Sequence, residues 1–164
     1  MEYIAPSDVT SRNDARAEYS LGEVIRTQTD KTFKYVRLVD CTETAPAAGQ
    51  VLYRHKDDDT YAGGLVTNDL TYSLNGDVND VVGVLTYGCE NSNCSFMQTW
   101  GYYSAVALDP YRVVVVSERD GLIGSTDGAA CSSVEDTSAR QLGYALAAEI
   151  GADDTVAAFL TIEQ

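Results

Sequence analysis

Along most of this chain apolar residues recur at every second position, the period of an extended strand whose side chains alternate between two faces. The organising stretch is residues 81–116, VVGVLTYGCENSNCSFMQTWGYYSAVALDPYRVVVV. It predicts a long hairpin, Val81–Tyr87 against Ser95–Leu108, that leads through Asp109-Pro110 into the apolar run Val113–Val116. On the outgoing strand Phe96, Gln98, Trp100 and Tyr102 share one face, and Met97, Thr99 and Tyr103 the other. Both faces are therefore partly apolar. A sheet with one wet face would alternate more cleanly, so this strand is expected in a sandwich or a barrel, or under a second subunit.

The same reading extends in both directions. Upstream, Glu23–Gln28 and Phe33–Val39 predict a hairpin around Thr29-Asp30-Lys31, because the second strand alternates and is rich in β-branched and aromatic residues. A connector of small residues, Thr42–Gly49, leads to a short strand, Gln50–Tyr53, and a further short strand or bridge is expected near Leu70–Leu74. Downstream, the glycine- and serine-rich residues 121–140 allow only short strands. The last segment predicts a hairpin, Leu142–Ala148 against Thr155–Ile162, since Gly143 and the turn cluster Gly151-Ala152-Asp153-Asp154 weaken a helix. A shift of sixty places sets Val82-Gly83-Val84 on Leu142-Gly143-Tyr144, which suggests two glycine-marked hairpins of similar build. Residues 1–20 show neither period and are expected to form an extended N-terminal arm before a β domain at 21–164; Tyr3 and Ile4 at its start are candidates to lie along a partner. The expected fold class is all-β: one domain, a β-sandwich or barrel-like fold of antiparallel hairpins.

Charge narrows the partners. Lys plus Arg number 11 against 25 Asp plus Glu, a formal charge of −14. Such a surface repels phosphate backbones and anionic lipid, so neither nucleic acid nor membrane is an expected partner. Arg12, Arg16, Arg26, Lys31 and Lys34 gather much of the positive charge in the first quarter. The first residues lack the apolar core of a signal peptide, and no run of about 18 apolar residues occurs. Synthesis in the cytoplasm without a membrane anchor is the resulting expectation. Cys41, Cys89, Cys94 and Cys131 are accordingly expected as free thiols.

Candidate chemistry is sparse. None of the common nucleophile, phosphate-loop, dinucleotide or zinc-protease motifs is present. The single histidine, His55, lies between Arg54 and Lys56 and is expected at the surface. Asp57, Asp58 and Asp59 lack the alternate spacing and closing glutamate of a calcium loop, so a solvated turn is expected. The C-x4-C pair Cys89 and Cys94 offers too few ligands for zinc. The many acids sit in turn-like contexts that single out no pair. No catalytic residue, cofactor or metal site is expected, and the chain does not read as an enzyme. Eleven tyrosines, Trp100 and three phenylalanines point to interfaces instead, with Trp100, Tyr102, Tyr103 and Tyr111 as candidates for contact between subunits.

The segment YSLGEVIRTQTDKTFKYVRLVDCTETAPAAGQVLYR resembles the opening of tailed-phage capsid decoration (cement) proteins. VVGVLTYG followed by FMQTWGYYSAVAL is similar to that family's central hairpin, and LGYALAA with DDTVAAFLTI to its last one. The likeness spans about residues 19–162 and sets Leu21 and Gly22, Ala47-Ala48-Gly49, Gly83, Gln98, Trp100-Gly101 and Gly143 on structural positions of the pattern. It implies an all-β virion protein, a homotrimer made in the host cytoplasm. It would sit on the outer capsid surface and clamp the major capsid protein where its subunits meet. The alternative reading is a virion-surface, fibre-like module that binds a host glycan through Trp100 and nearby tyrosines; a hydrolase working through acidic residues is a third.

Overall fold

The computed structural model describes residue 9 and residues 11–58, 64–109, 116–125, 128–132, 139–148 and 155–162. The protein is all-β. Its strands are β1 (Val24–Arg26), β2 (Thr32–Leu38), β3 (Val51–Arg54), β4 (Leu65–Thr67), β5 (Val81–Leu85) and β6 (Cys94–Ala107). They continue with β7 (Gly121–Gly124), β8 (Ala130–Ser132), β9 (Gln141–Ala145) and β10 (Thr155–Thr161).

Hydrogen bonding runs β1-β2-β4-β3-β5-β6-β10-β9-β7-β8, and β2 also pairs with β6. That extra pairing closes β2, β4, β3, β5 and β6 into a barrel, in which Tyr35 lies opposite Phe96 and Arg37 opposite Cys94. Closure removes the open edges that a flat sheet would leave. Each of the five strands sends side chains into one cluster, namely Val36 and Leu38, Val66, Leu52, Leu85, and Met97, with Cys89. This is the barrel interior. Around it stand β7–β10 and the second half of β6, which cover one outer flank of the barrel. The cluster between them joins Val51, Tyr53, Val81 and Val84 of the barrel to Leu122, Leu142, Val156 and Leu160. A third cluster lies on another part of the barrel's outside, where Val9, Tyr19, Leu21 and Ile25 cover Phe33, Tyr35 and Phe96.

β6 belongs to both halves, and this explains why its two faces are both apolar. Its first part is buried from Cys94 to Thr99, with Met97 inside the barrel and Phe96 beneath Tyr19. The expected central hairpin is present but short: β5 meets β6 at Val84–Gln98 and Leu85–Met97, and from Trp100 onward the partner is β10. The last hairpin forms as expected, with Leu160 opposite Gly143, and β10 alternates buried and outward residues along its length. Of the short strand or bridge expected near Leu70–Leu74 the structure forms the bridge, between Ser73 and His55, preceded by a 3-10 turn, Leu70–Tyr72, capped by Asp69. The run Val113–Val115 lies outside the described residues, while Val116 is buried.

Residues 11–20 lie against the barrel. Asp14 bridges to Cys94 through backbone bonds of 2.8 Å in both directions. Its carboxylate accepts from the Tyr35 hydroxyl at 2.7 Å. Ser95 Oγ donates to the Arg12 carbonyl and Thr86 Oγ1 to that of Val9.

Burial has a consequence at high pH. It pushes the Tyr103 phenol up to about 12 and the Cys89 thiol up to about 12. The Tyr35 phenol is raised as well, by burial first and then by its bond to Asp14. In the unfolded chain these groups ionise near 10.0 for tyrosine and 9.0 for cysteine. The stability they contribute is thus intact below pH 9 and lost as the pH rises toward 12. Urea midpoints are expected to hold steady at neutral pH and fall across that window, and Tyr103→Phe to flatten the fall. A midpoint unchanged up to pH 12 would contradict this.

Candidate functional site

Where β6 leaves the barrel for the second sheet, the chain must bend, and Gly101 makes the bend. Its φ of +94° is one that side-chain-bearing residues rarely adopt, and a Cβ there would stand 3.0 Å from the Asp30 carbonyl oxygen. Gln98 holds the geometry from beneath. Buried at 2 % exposure, its side-chain amide donates to the carbonyls of Trp100 and Tyr102, both at 3.0 Å. Gln98→Leu would leave those carbonyls without donors and is expected to destabilise the chain by about 1–3 kcal/mol. The emission of Trp100, the only tryptophan, should move with it; unchanged stability and emission would refute this role.

The bend turns Trp100 and Tyr102 outward on the same side, 41 % and 47 % exposed. Register then extends the row across three strands: Tyr102 lies opposite Phe159, and Phe159 opposite Tyr144. The Trp100 and Phe159 rings meet edge to face at 5.8 Å, and those of Phe159 and Tyr144 stack at 5.5 Å and 15°. Tyr144 is itself 39 % exposed. Facing this row is the β1–β2 turn, with Arg26, Asp30 and Lys31. Lys31 Nζ lies 5.6 Å from the centre of the Tyr102 ring. Between row and turn runs an open groove of about 970 Å³.

Of the other candidates the structure describes Tyr103 alone. Tyr103 faces the core, where its hydroxyl donates to the Leu85 carbonyl at 2.8 Å. Tyr3, Ile4 and Tyr111 lie outside the described residues. Sequence reasoning missed Phe159 and Tyr144. Phe159 stands next to the buried Leu160, and that alternation could have flagged it as outward; Tyr144 lies two residues from the buried Leu142, so alternation carries no such signal for it.

His55 is a correction: it is buried, at 2 % exposure, rather than on the surface. Its neighbours Arg54 and Lys56 carry the charge, while its own ring stacks on Tyr72 at 6.4 Å and 10°. Nδ1 accepts from the Asp57 backbone N–H at 3.2 Å, so Nε2 carries the proton and donates to Asp40 Oδ2 at 3.1 Å. Both nitrogens are thereby engaged in holding two loops. The expected solvated turn also divides: Asp58 is fully buried, accepting from Arg54 Nε at 2.9 Å and from the Leu65 N–H at 3.1 Å. Asp59 lies outside the described residues.

All four cysteines are free. Cys89 packs in the barrel interior and Cys94 in the outer cluster under the arm. Among the described residues no three His, Cys, Asp or Glu come together to hold a metal. No helix among them is long and apolar enough to cross a membrane.

In comparisons with known proteins, no family profile matches this chain and no curated protein matches it. Among solved structures the chain is similar to the N base of the head fiber gp8.5 of bacteriophage phi29. The TM-score is 0.46 and the identity 14%, over 82% of this chain and 99% of that one.

Proposed function

We propose that this chain is a structural virion protein of a tailed phage, a decoration protein that binds the outer capsid surface and stabilises contacts between major capsid subunits. One observation carries the reading: residues behind the sequence resemblance occupy positions on which the architecture depends. Gly83 lies where a Cβ would meet Met97 Sδ at 2.7 Å, and Gly143 where it would meet the Phe159 carbonyl at 2.2 Å. Gln98 and Gly101 form the bend between the two halves. Agreement at such positions is what a shared fold requires, since each answers to the shape of the backbone and not to a surface preference.

The physics of clamping suits this molecule. A closed barrel locked to a second sheet is a stiff body, and a stiff body loses little freedom on docking. Repetition around a capsid lattice multiplies modest contacts through multivalency. In this reading the chain assembles as a homotrimer beside the major capsid protein and performs no chemistry of its own.

Co-sedimentation with expanded capsid shells that lack the chain tests the proposal. The chain should pellet with the shells, saturate at a fixed ratio to capsid subunits and raise their resistance to heat. In solution its sedimentation mass should be three times the 17.7 kDa of one chain. A chain that stays in the supernatant removes the capsid role, and a monomeric mass removes the trimer.

A further inference from the structure

We propose that the groove between the β1–β2 turn and the Trp100 row binds a neutral, polyhydroxylated chain: a glycan strand without acidic groups. Three observations lead there. The first is the row itself. Trp100, Tyr102 and Phe159 line the groove; Trp100 and Tyr102 are each more than a third exposed, Tyr102 lies opposite Phe159 on the paired strand, and the Gln98 amide fixes the bend between Trp100 and Tyr102. Rings held rigidly and left open to water present flat apolar faces to a ligand, of the size and polarity that the C–H faces of sugar rings match.

The second is the polar wall. Arg26 and Lys31 offer donors, Asp30 an acceptor, and the hydroxyls of Thr27 and Thr29 serve as both. Among the described residues no ion pair engages Arg26 or Lys31. Thr27 and Thr29 bond each other through their hydroxyls at 3.0 Å and Lys31 Nζ lies over the Tyr102 ring, so the Arg26 guanidinium and the remaining hydrogen-bonding capacity of the others serve hydroxyls on a ligand lying against the rings.

The third is charge. Two cations and one acid leave the groove near neutrality on a chain whose total is −14. The surrounding field repels an acidic polymer, and the two cations disfavour a basic one. A neutral glycan meets none of these penalties, and a groove of about 970 Å³ is at the upper end of the range for ligand sites.

Because Trp100 is the only tryptophan, its emission reads the groove directly. The full chain is titrated with cellohexaose, mannohexaose and chitohexaose, and with hexagalacturonate as the acidic arm. At least one neutral hexaose should move the emission to the blue and saturate. Tyr102→Ala and Arg26→Ala, both at exposed positions and checked by thermal unfolding, should each weaken that binding roughly tenfold. The proposal is overturned if no neutral hexaose moves the emission, if hexagalacturonate binds more tightly than all three, or if both variants bind as the parent does. An emission shift that follows protein concentration alone would give the face to a second copy. One seen only with capsid shells would give it to the capsid protein. Both overturn the glycan assignment, and the shell arm leaves the decoration role standing.

Discussion

Replacing Tyr53 by alanine is expected to destabilise the folded chain by about 3–5 kcal/mol, the range for deleting a large buried aromatic ring. Tyr53 is fully buried on β3, and its ring lies in the cluster that fastens the barrel to the second sheet. Its hydroxyl donates to the Ser125 carbonyl just beyond β7, so one side chain ties the two halves by packing and by a hydrogen bond. The ring fits because Gly124 offers no Cβ; one there would stand 2.8 Å from a ring carbon. The truncation therefore opens a cavity at the joint itself. At about 2–4 °C per kcal/mol for a chain of this size, the thermal midpoint should drop by roughly 6–20 °C. Tyr53→Phe separates the two contributions: it keeps the ring and strands the Ser125 carbonyl, at about 1–3 kcal/mol. Thermal and urea unfolding followed by Trp100 emission measures both, and a loss under about 1 kcal/mol for the alanine variant would show that the halves are held elsewhere.

Gly143→Ala is expected to act through the backbone. The new Cβ would stand 2.2 Å from the Phe159 carbonyl oxygen and 2.9 Å from Leu160 Cα. Both are main-chain atoms in a ladder, so no side chain can swing away. β9 must withdraw from β10, weakening a pairing in which Ala158–Ala145, Phe159–Tyr144 and Leu160–Gly143 face each other. Overpacking of this kind costs about 1–3 kcal/mol and more where the neighbours cannot move, and here they cannot. The stacked pair Phe159–Tyr144 rides on the same two strands, so amide exchange should quicken in β9 and β10 while β2 and β4 of the barrel keep their protection. Equal stability and exchange in the variant would mean that the close approach is not required.

Much of the strand content was legible because alternation is a local property. Phe33–Val39 alternates in the sequence, and the fold buries Phe33 and Tyr35 in the outer cluster and Val36 and Leu38, from the other face, in the barrel interior; in β10 Val156, Ala158 and Leu160 lie on one buried face. The doubled burial of β6 was legible too, since Phe96 and Met97 are neighbours and both need cover. The sixty-residue echo has a structural counterpart: Gly83 beside Met97 and Gly143 beside Phe159 each allow a partner strand to come close. His55 was read wrongly for an understandable reason. Flanking charges predict exposure only when the three residues share a side, and in β3 and its continuation they alternate.

The candidate site was half legible. Trp100 and Tyr102 stood out by type and spacing, but Phe159 and Tyr144 join them only through the register of β6, β10 and β9. Tyr103, one residue from Tyr102, could not be told from it by composition; alternation sends its hydroxyl to the Leu85 carbonyl instead.

By itself, the sequence determined that this chain is built of strands, where most of them turn, and that its surface is strongly acidic. Those properties depend on residues adjacent in the chain. Tertiary structure alone decided that β2 closes onto β6, that β6 is shared between two halves, and that rings from β6 and β10 line one groove with the β1–β2 turn. Such pairings join residues far apart in the chain, and burial of apolar surface rewards any partner that excludes water. Which partner is chosen rests on the shapes that meet, as at Gly101, Gly143 and Tyr53.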